Sequence, residues 1–431
     1  MGLGLLGRGV GDAEFLAQCG AQILVTDLKT NEKLAPSIEY LKKYTTITFH
    51  LGGHTTEDFT NCDMVIKAAG VPLDSPFVQA ARDSSVPVYM SGALCAKFAG
   101  ELGVTVIGVT GTRGKSTVAH LLRHVLKKAG KPVHLGGNIR GVSTLALLPE
   151  LKKDDILILE LDSWQLQGFG DLGISPHIAI FTNLMPDHMN YYPDMQAYLT
   201  DKSNIFRFQK SGDYFFVGVM ISKVVEDLRP PVASKTVAPL PDDWQLKIPG
   251  AHNRENAAFA AATLKILGLT EQEIRSGTES FEGLEGRLQF VGEKDGVKIY
   301  NDNSATTPDA TIVALRALGD LKRNIVLIMG GDEKWLDMSA LLDEIPKWCS
   351  KIVLFKERGT ERIRDEIFKM QQHDVEIFEE EGLPATVERA FSIAKPGEII
   401  LYSPAFSSFG KYFKNEFDRS DQFITLVRAR L

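Results

Sequence analysis

Val104-Thr-Val-Ile-Gly-Val-Thr-Gly-Thr-Arg-Gly-Lys-Ser-Thr117 joins an apolar strand to a glycine-rich turn, and a helical stretch over 118–129 follows. A nucleotide-binding loop requires this order, because backbone N–H groups and a helix N-terminus bind phosphate oxygens. Gly111, Thr112 and Gly114 form the turn, Lys115 adds a mobile positive charge, and Ser116 or Thr117 can offer a hydroxyl to Mg²⁺. Five residues rather than four separate Gly108 from Gly114, so the spacing is a variant of the common pattern. A ligand-free strand-to-helix turn does not account for Gly-Lys-Ser-Thr at this place.

Working outward, short β-branched runs at 23–26, 64–66, 104–109, 156–161, 178–181, 325–329, 352–355 and 399–402 alternate with amphipathic stretches. Continuous apolar strands separated by helices indicate parallel sheets covered on both faces. The expected class is α/β, and a chain of 431 residues exceeds what one core serves. Breaks near 91–103 and at Glu282-Gly-Leu-Glu-Gly-Arg287 divide it into residues 1–92, 93–285 and 286–431. These are expected to be a Rossmann-like domain, a central P-loop ATPase-type parallel sheet and a second Rossmann-like α/β domain. The Pro-rich stretch 229–241 reads as a loop of the middle domain, and 288–300 as a hairpin.

Net charge of −7 argues against a general nucleic-acid or membrane-surface binder. The four scattered cysteines form no paired metal spacing and suit a reducing compartment. No charged, apolar leader opens the chain and no run approaches the ~20 apolar residues of a membrane span. A cytoplasmic protein without membrane insertion is expected.

Downstream of the loop, Glu160 ends the buried strand Ile156-Leu-Ile-Leu-Glu160, where a carboxylate is costly unless paired or holding a metal. Asp162 follows it, either as a second carboxylate near a metal or pointing to solvent. Asp187 and His188 sit at the C-terminal end of strand 178–182, the edge where ligands of parallel sheets collect. Asn253 and Asn256 open a small-residue helix, either as an N-cap pair or as ligand contacts. At the start of the chain, glycines at 2, 4, 7, 9 and 11 precede Asp27, which alone suggests a dinucleotide fold with Asp27 on a ribose. The first strand is nearly absent before those glycines, and the phosphate loop of the second domain makes a dehydrogenase improbable.

Gly108-x-Thr-Gly-Thr-x-Gly-Lys-Ser/Thr resembles the ATP loop of the Mur ligases and folylpolyglutamate synthetases, which join a carboxylate to an amine. The likeness continues in order along the chain, through Glu160-Leu-Asp-Ser-Trp-Gln-Leu166 and Gly250-Ala-His-Asn-Arg-Glu-Asn256. It implies that Lys115, Glu160, His188, Lys202 and Arg287 are catalytic. ATP would be held by Gly111, Thr112, Gly114, Lys115, Ser116, Thr117, Asn253, Asn256, Arg287 and Asp302. Mg²⁺, with a second Mg²⁺ or Mn²⁺, would involve Ser116, Glu160, His188 and a carbamylated Lys202. Departures from the pattern are Arg113 for Asn, Asp162 for Ser and Ser304 for Lys.

The ends of the chain carry the substrate. The first domain resembles a UDP-binding domain of this family, placing Gly7, Asp27, Leu28, Lys29 and Gly70 at the UDP part and Asn138 at the muramoyl part. Asn301-Asp-Asn-Ser-Ala-Thr306, Gly330-Gly-Asp-Glu-Lys334 and Ser403-Pro-Ala-Phe-Ser-Ser-Phe409 resemble the family's amino-acid-selecting segments. Thr306, Lys334, Ser408 and the Phe409 backbone would hold the carboxylates of D-glutamate, for which a cation and hydroxyl donors are apt. The resemblance thus implies a monomeric ATP-dependent ligase acting on UDP-N-acetylmuramoyl-L-alanine and D-glutamate through an acyl phosphate. Closure of the last domain, pivoting near 284–286, is expected to assemble its site. The rivals are a ligase of the same architecture with another amino acid or a folate, and a nucleotide-binding regulator that has lost ligation.

Overall fold

The computed structural model describes residues 1–4, 7–189, 191–319, 323–408 and 410–431. Two compact units result: residues 1–241 with 255–278, and residues 242–254 with 279–431. The division runs through the helix Ala251–Ile266.

In the first unit, β1 (Ile23–Asp27) pairs in parallel with β2 (Ile47–Leu51), and β3 (Val65–Ile66) with β4 (Val88–Tyr89). Met64 is exposed and lies outside the strand expected to include it. Residues 1–4 do the work of the missing first strand. The Met1 amine donates to Ile66 O, the Ala68 N–H to Met1 O and the Gly2 N–H to Thr26 O. Helix Arg8–Gln18 then packs Val10, Ala13 and Ala17 in one apolar cluster with Ile23 and Val25 of β1.

The same unit holds a six-stranded, all-parallel sheet of β5 (Thr105–Thr110), β6 (Val133–Gly137), β7 (Ile156–Glu160), β8 (Ile178–Phe181), β9 (Tyr214–Val217) and β10 (Ser234–Thr236). Its order is β10-β9-β8-β5-β7-β6. β7 and β8 are buried at every residue, as expected where helices cover both faces. The chain leaves β5 for the β6 edge, returns through β7 and crosses to β8 on the other side of β5. The C-terminal end of β5 is therefore a topological switch point, where ligands bind in open α/β sheets. The stretch 229–241 is not a simple loop, because Ser234–Thr236 pairs with β9 as the sheet's edge strand.

The second unit is built on β11 (Gln289–Lys294), β12 (Val297–Asn301), β13 (Ile325–Met329), β14 (Cys349–Phe355), β15 (Glu376–Glu380) and β16 (Ile399–Tyr402), in the order β11-β12-β16-β13-β14-β15. β11 and β12 form the antiparallel hairpin; the other pairings are parallel. All of β13 is buried between two apolar clusters.

Gly108 proves to be a packing residue of β5, not part of the turn. A Cβ there would lie 2.4 Å from Pro176 Cγ and 2.7 Å from Ile205 Cδ1. Gly108→Val should destabilise the first unit by about 1–3 kcal/mol through overpacking, read as a lower urea midpoint. Gly92→Ala, in a helix with open space around the new methyl, should instead hold or raise stability by about 0.4–1 kcal/mol. Equal midpoints for both variants would contradict this account.

Candidate active site

The turn that leaves β5 is held from the end of β8. Thr112 N–H donates to Asn183 O at 2.9 Å and Arg113 N–H to Asn183 Oδ1 at 2.8 Å. Thr182 Oγ1 donates to Arg113 O at 2.6 Å, and Thr112 Oγ1 accepts from Met185 N–H at 2.9 Å. Gly111 has φ 142° and Gly114 φ 86°, backbone conformations that favour glycine. A Cβ on Gly111 would meet Thr182 Oγ1 at 2.0 Å, and one on Gly114 would meet Asn256 Oδ1 at 2.3 Å. Gly114 begins the helix Lys115–Lys128, so the first-turn N–H groups of Lys115, Ser116 and Thr117 lie at its positive end.

Two lysines converge on one oxygen of this turn. Lys115 Nζ donates to Gly111 O at 3.0 Å and to Thr112 O at 3.1 Å. Lys202, from helix Met195–Ser203, donates to the same Gly111 O at 2.9 Å and to Thr110 Oγ1 at 3.3 Å. Lys202 is 1% exposed. Burial, reinforced by the Lys115 charge, pushes its amine well below the usual lysine range, against the pull of Asp162, Asp187 and Asp201.

Glu160, at the end of β7, is buried and accepts a hydrogen bond from Ser116 Oγ at 3.0 Å. This answers its cost at the end of an apolar strand. A hydroxyl and a carboxylate oxygen are hard donors that suit Mg²⁺, an ion that keeps most of its coordination for phosphate and water. Among the described residues no group of three or more His, Cys, Asp or Glu side chains forms a ready-made cage. The Ser116–Glu160 pair fits a divalent cation of this kind. His188 has φ 58°, its ring lies 4.7 Å from that of Trp164, and its Nε2 is 3.8 Å from Asp187 Oδ2. Burial holds the imidazole below its ordinary pKa, although Asp187 and Asp162 pull the other way.

Asp162 has a local role beside those open to it in the sequence, and its charge also acts on His188 and Lys202. It is the N-cap of helix Ser163–Leu172, in a reciprocal capping box with Gln165. Nor do Asn253 and Asn256 form an N-cap pair, since the helix begins at Ala251. Asn253 Nδ2 donates to Pro249 O at 2.7 Å. The Arg113 guanidinium lies 3.9 Å from the Asp187 carboxylate, beside the loop it interrupts.

Of the residues expected at a UDP part, Gly7 starts the helix Arg8–Gln18 with φ 82°. Asp27 accepts from Gly4 N–H at 3.0 Å and Lys29 N–H at 2.9 Å. Burial alone would raise the Asp27 carboxyl, but these N–H donors and the Lys29 charge outweigh it and hold the pKa low. Its carboxylate thus ties the glycine-rich turn to the end of β1. Leu28 is 70% exposed beside it, and a Cβ on Gly70 would meet only open space. Asn138 lies just past β6 with its N–H on Glu160 O at 2.7 Å.

In the second unit the three segments expected to select an amino acid come together. Lys334 Nζ donates to Thr306 Oγ1 at 3.0 Å, Ala405 N–H to Ala305 O at 2.9 Å, and Asp332 and Ser407 exchange backbone hydrogen bonds. Ser408 is buried; Phe409 lies outside the described residues. Asp302 accepts from Leu288 N–H and Ser403 Oγ, and burial raises its pKa to about 7. Arg287 is exposed at the turn bridged by Leu284, and Ser304 N–H donates to Gly286 O.

Arg419 was not among the expected residues. Fully buried, it donates from Nε to Asn303 Oδ1 at 2.7 Å, from Nη2 to Asn303 O and from Nη1 to Phe406 O. It therefore joins two of the three segments. One arginine in the amphipathic helix Glu416–Arg428 carries no local signal of this role. Asn183 and Thr182 were equally silent, because their partners lie about 70 residues earlier.

Three family models match in order: "Mur ligase MurD-like, N-terminal domain" over residues 1–90, "Mur ligase middle domain" over 109–238, and "Mur ligase, glutamate ligase domain" over 286–406. The chain is 33% identical over 466 residues to the UDP-N-acetylmuramoylalanine–D-glutamate ligase of Roseiflexus sp. (strain RS-1), covering 100% of this chain and 97% of that protein. It is 34% identical over 452 residues to the protein of the same name from Borreliella burgdorferi (strain ZS7), covering 99% and 96%. The crystal structure of UDP-N-acetylmuramate-alanine ligase from Thermotoga maritima shares the fold, with a TM-score of 0.61 at 19% identity over 100% of this chain and 98% of that one. Identity at this level along the entire length makes the chain a member of the Mur ligase family.

Proposed function

We propose that this Mur ligase joins D-glutamate to UDP-N-acetylmuramoyl-L-alanine, with hydrolysis of ATP to ADP and phosphate, in peptidoglycan precursor synthesis. The observation that carries this reading is a phosphate-binding turn, two lysines and the Ser116–Glu160 pair meeting at the C-terminal ends of β5 and β7. They do so in a chain that matches D-glutamate ligases from end to end. Three functional segments go with it: residues 1–92 for the UDP substrate, 93–285 for ATP and 286–431 for the amino acid. A cytoplasmic monomer is part of the same reading, and four free cysteines suit that reducing compartment.

A carboxylate is a poor electrophile, so the alanyl carboxylate first attacks the ATP γ-phosphoryl, giving an acyl phosphate and ADP. The first-turn N–H groups and Lys115 bind the phosphoryl oxygens, where charge builds as the bond to ADP breaks. Mg²⁺, when bound through Ser116 and Glu160, supplies further charge neutralisation at those oxygens. The D-glutamate amine, after losing a proton, attacks the acyl carbon, and phosphate leaves from the tetrahedral intermediate. Arg287, Asn253, Asn256 and Asp302 are assigned to ATP, His188 to a second metal, and Thr306, Lys334, Ser408 and the Phe409 backbone to the D-glutamate carboxylates. Gly7, Asp27, Leu28, Lys29, Gly70 and Asn138 are assigned to the sugar nucleotide. The departures at Arg113 and Asp162 are used locally, in an ion pair and a helix cap, so neither argues for a regulator that has lost ligation.

Lys202 completes the proposal as a carbamate. A buried amine held below its usual pKa is a nucleophile for CO₂ in its neutral form; the N–C bond forms, one proton leaves the nitrogen, and the neutral amine beside Lys115 becomes an anion. Enzyme equilibrated with ¹³C-bicarbonate should show a carbamate carbon resonance that Lys202→Arg lacks, and that variant should lose about 10²-fold or more in kcat. A resonance that persists in Lys202→Arg would place the carbamate elsewhere.

The substrate assignment is tested by phosphate release from ATP and Mg²⁺ with UDP-N-acetylmuramoyl-L-alanine and a panel of D-glutamate, L-glutamate, L-lysine, meso-diaminopimelate and no amino acid. Release that depends on D-glutamate is expected. Release with another member of the panel would keep the mechanism and move the amino acid.

A further inference from the structure

The start of helix Arg8–Gln18 rests on the segment that follows β6. Arg8 Nη1 donates to Asn138 Oδ1 at 3.0 Å, and one turn further on Ser143 Oγ donates to Asp12 Oδ1 at 2.6 Å. The approach is close enough that a Cβ on Gly11 would lie 2.6 Å from Ser143 Cβ. Asn138 is also fixed from its other side, because its N–H donates to the carbonyl of Glu160. One residue thus touches the first helix of the chain through its side chain and the end of β7 through its backbone. The Glu160 carboxylate is the group that meets Ser116 in the phosphate-binding turn.

The chemistry of the pair sets a direction. A guanidinium has five N–H donors and no acceptor, so the amide atom that faces Arg8 is the oxygen. With Oδ1 occupied by a cation, the hydrogen bonds left to the Asn138 side chain are chiefly donations through its NH₂ group. Neither Arg8 nor Asn138 is fully buried, so the pair lies where part of it meets solvent. Without Arg8 the amide could rotate and present either its oxygen or its nitrogen at similar cost.

We propose that Arg8 is a positioning residue for the sugar nucleotide: it fixes the orientation of Asn138 so that Nδ2 donates to an oxygen of the substrate's muramoyl part beside Glu160. The inference rests on the assignment of Asn138 to the sugar nucleotide made above. The Asp12–Ser143 hydrogen bond is a second tie between the same two segments, so removal of the Arg8 contact alone leaves the helix anchored.

Asn138→Asp separates this role from a merely structural one. It replaces the Arg8 hydrogen bond with an ion pair, which preserves or strengthens the tie, but it removes the NH₂ donor. In steady-state assays of the full chain, Asn138→Asp and Arg8→Met should each raise the KM for UDP-N-acetylmuramoyl-L-alanine roughly 10-fold or more, the scale of a charge-assisted hydrogen bond, with the KM for ATP unmoved. Arg8→Met combined with Asn138→Ala should be no worse than Asn138→Ala alone, because Arg8 acts through Asn138. Thermal midpoints of each variant verify that it folds. A wild-type KM in Asn138→Asp, or additive effects in the double variant, would overturn the proposal. A wild-type enzyme that releases no phosphate with this sugar nucleotide would instead remove the substrate assignment, and the role of Arg8 with it.

Discussion

The Gly111 carbonyl is the point on which the rest of the site depends. Lys115 and Lys202 both donate to it, one from the start of a helix and one from a buried position on another. Two ammonium groups around one oxygen repel, and the repulsion is strong where water is excluded. The arrangement is stable only if one amine is neutral or if anions are supplied. Burial pushes Lys202 toward the neutral form, and a nucleotide brings the anions. A turn with two lysines at its carbonyls and a helix N-terminus beside it is thus suited to a polyphosphate. The turn is held from outside as well, by Thr182, Asn183 and Met185, in addition to the bonds Lys115 makes to its carbonyls.

How much of this was legible depends on the distance over which each signal acts. β7, β8 and β13 could be read because both of their faces are covered, which requires uninterrupted apolar runs. The phosphate turn could be read because Gly114, Lys115 and Ser116 act within one turn of chain. The first strand could not. Residues 1–4 carry its hydrogen bonds, but the glycines that follow leave no periodic pattern. The edge strand Ser234–Thr236 was equally hidden, since it is three residues long and lies among prolines. Asp162 is instructive in another way. Asp162-x-x-Gln165 is a local capping signature, yet its place two residues after Glu160 directed attention to metal chemistry.

The departures from the family's residues have local physical answers of unequal weight. Arg113 is set beside Asp187, so its added charge is met before it reaches the centre of the turn. Asp162 serves as a carboxylate cap, which also places negative charge at a helix N-terminus, where it is stabilising. Ser304 differs, because its N–H holds Gly286 while its short side chain cannot supply the cation expected there. Lys334, whose ammonium donates to Thr306, is a cation that the gathered loops do hold.

Arg419 adds a side-chain tie between loops that leave the paired strands β12 and β16. Its guanidinium is fully buried, and its donors are spent on Asn303 and on the Phe406 carbonyl. Burial lowers its pKa, while Tyr402, Glu416 and Glu357 oppose that shift. Planar, five-pronged geometry lets one side chain satisfy carbonyls on two separate segments, which a lysine could not do. The desolvation of a charged group is offset only when both segments are in place, so the folded positions of the loops after β12 and β16 stabilise each other. The mutual placement of these two segments is therefore reinforced by one buried cation.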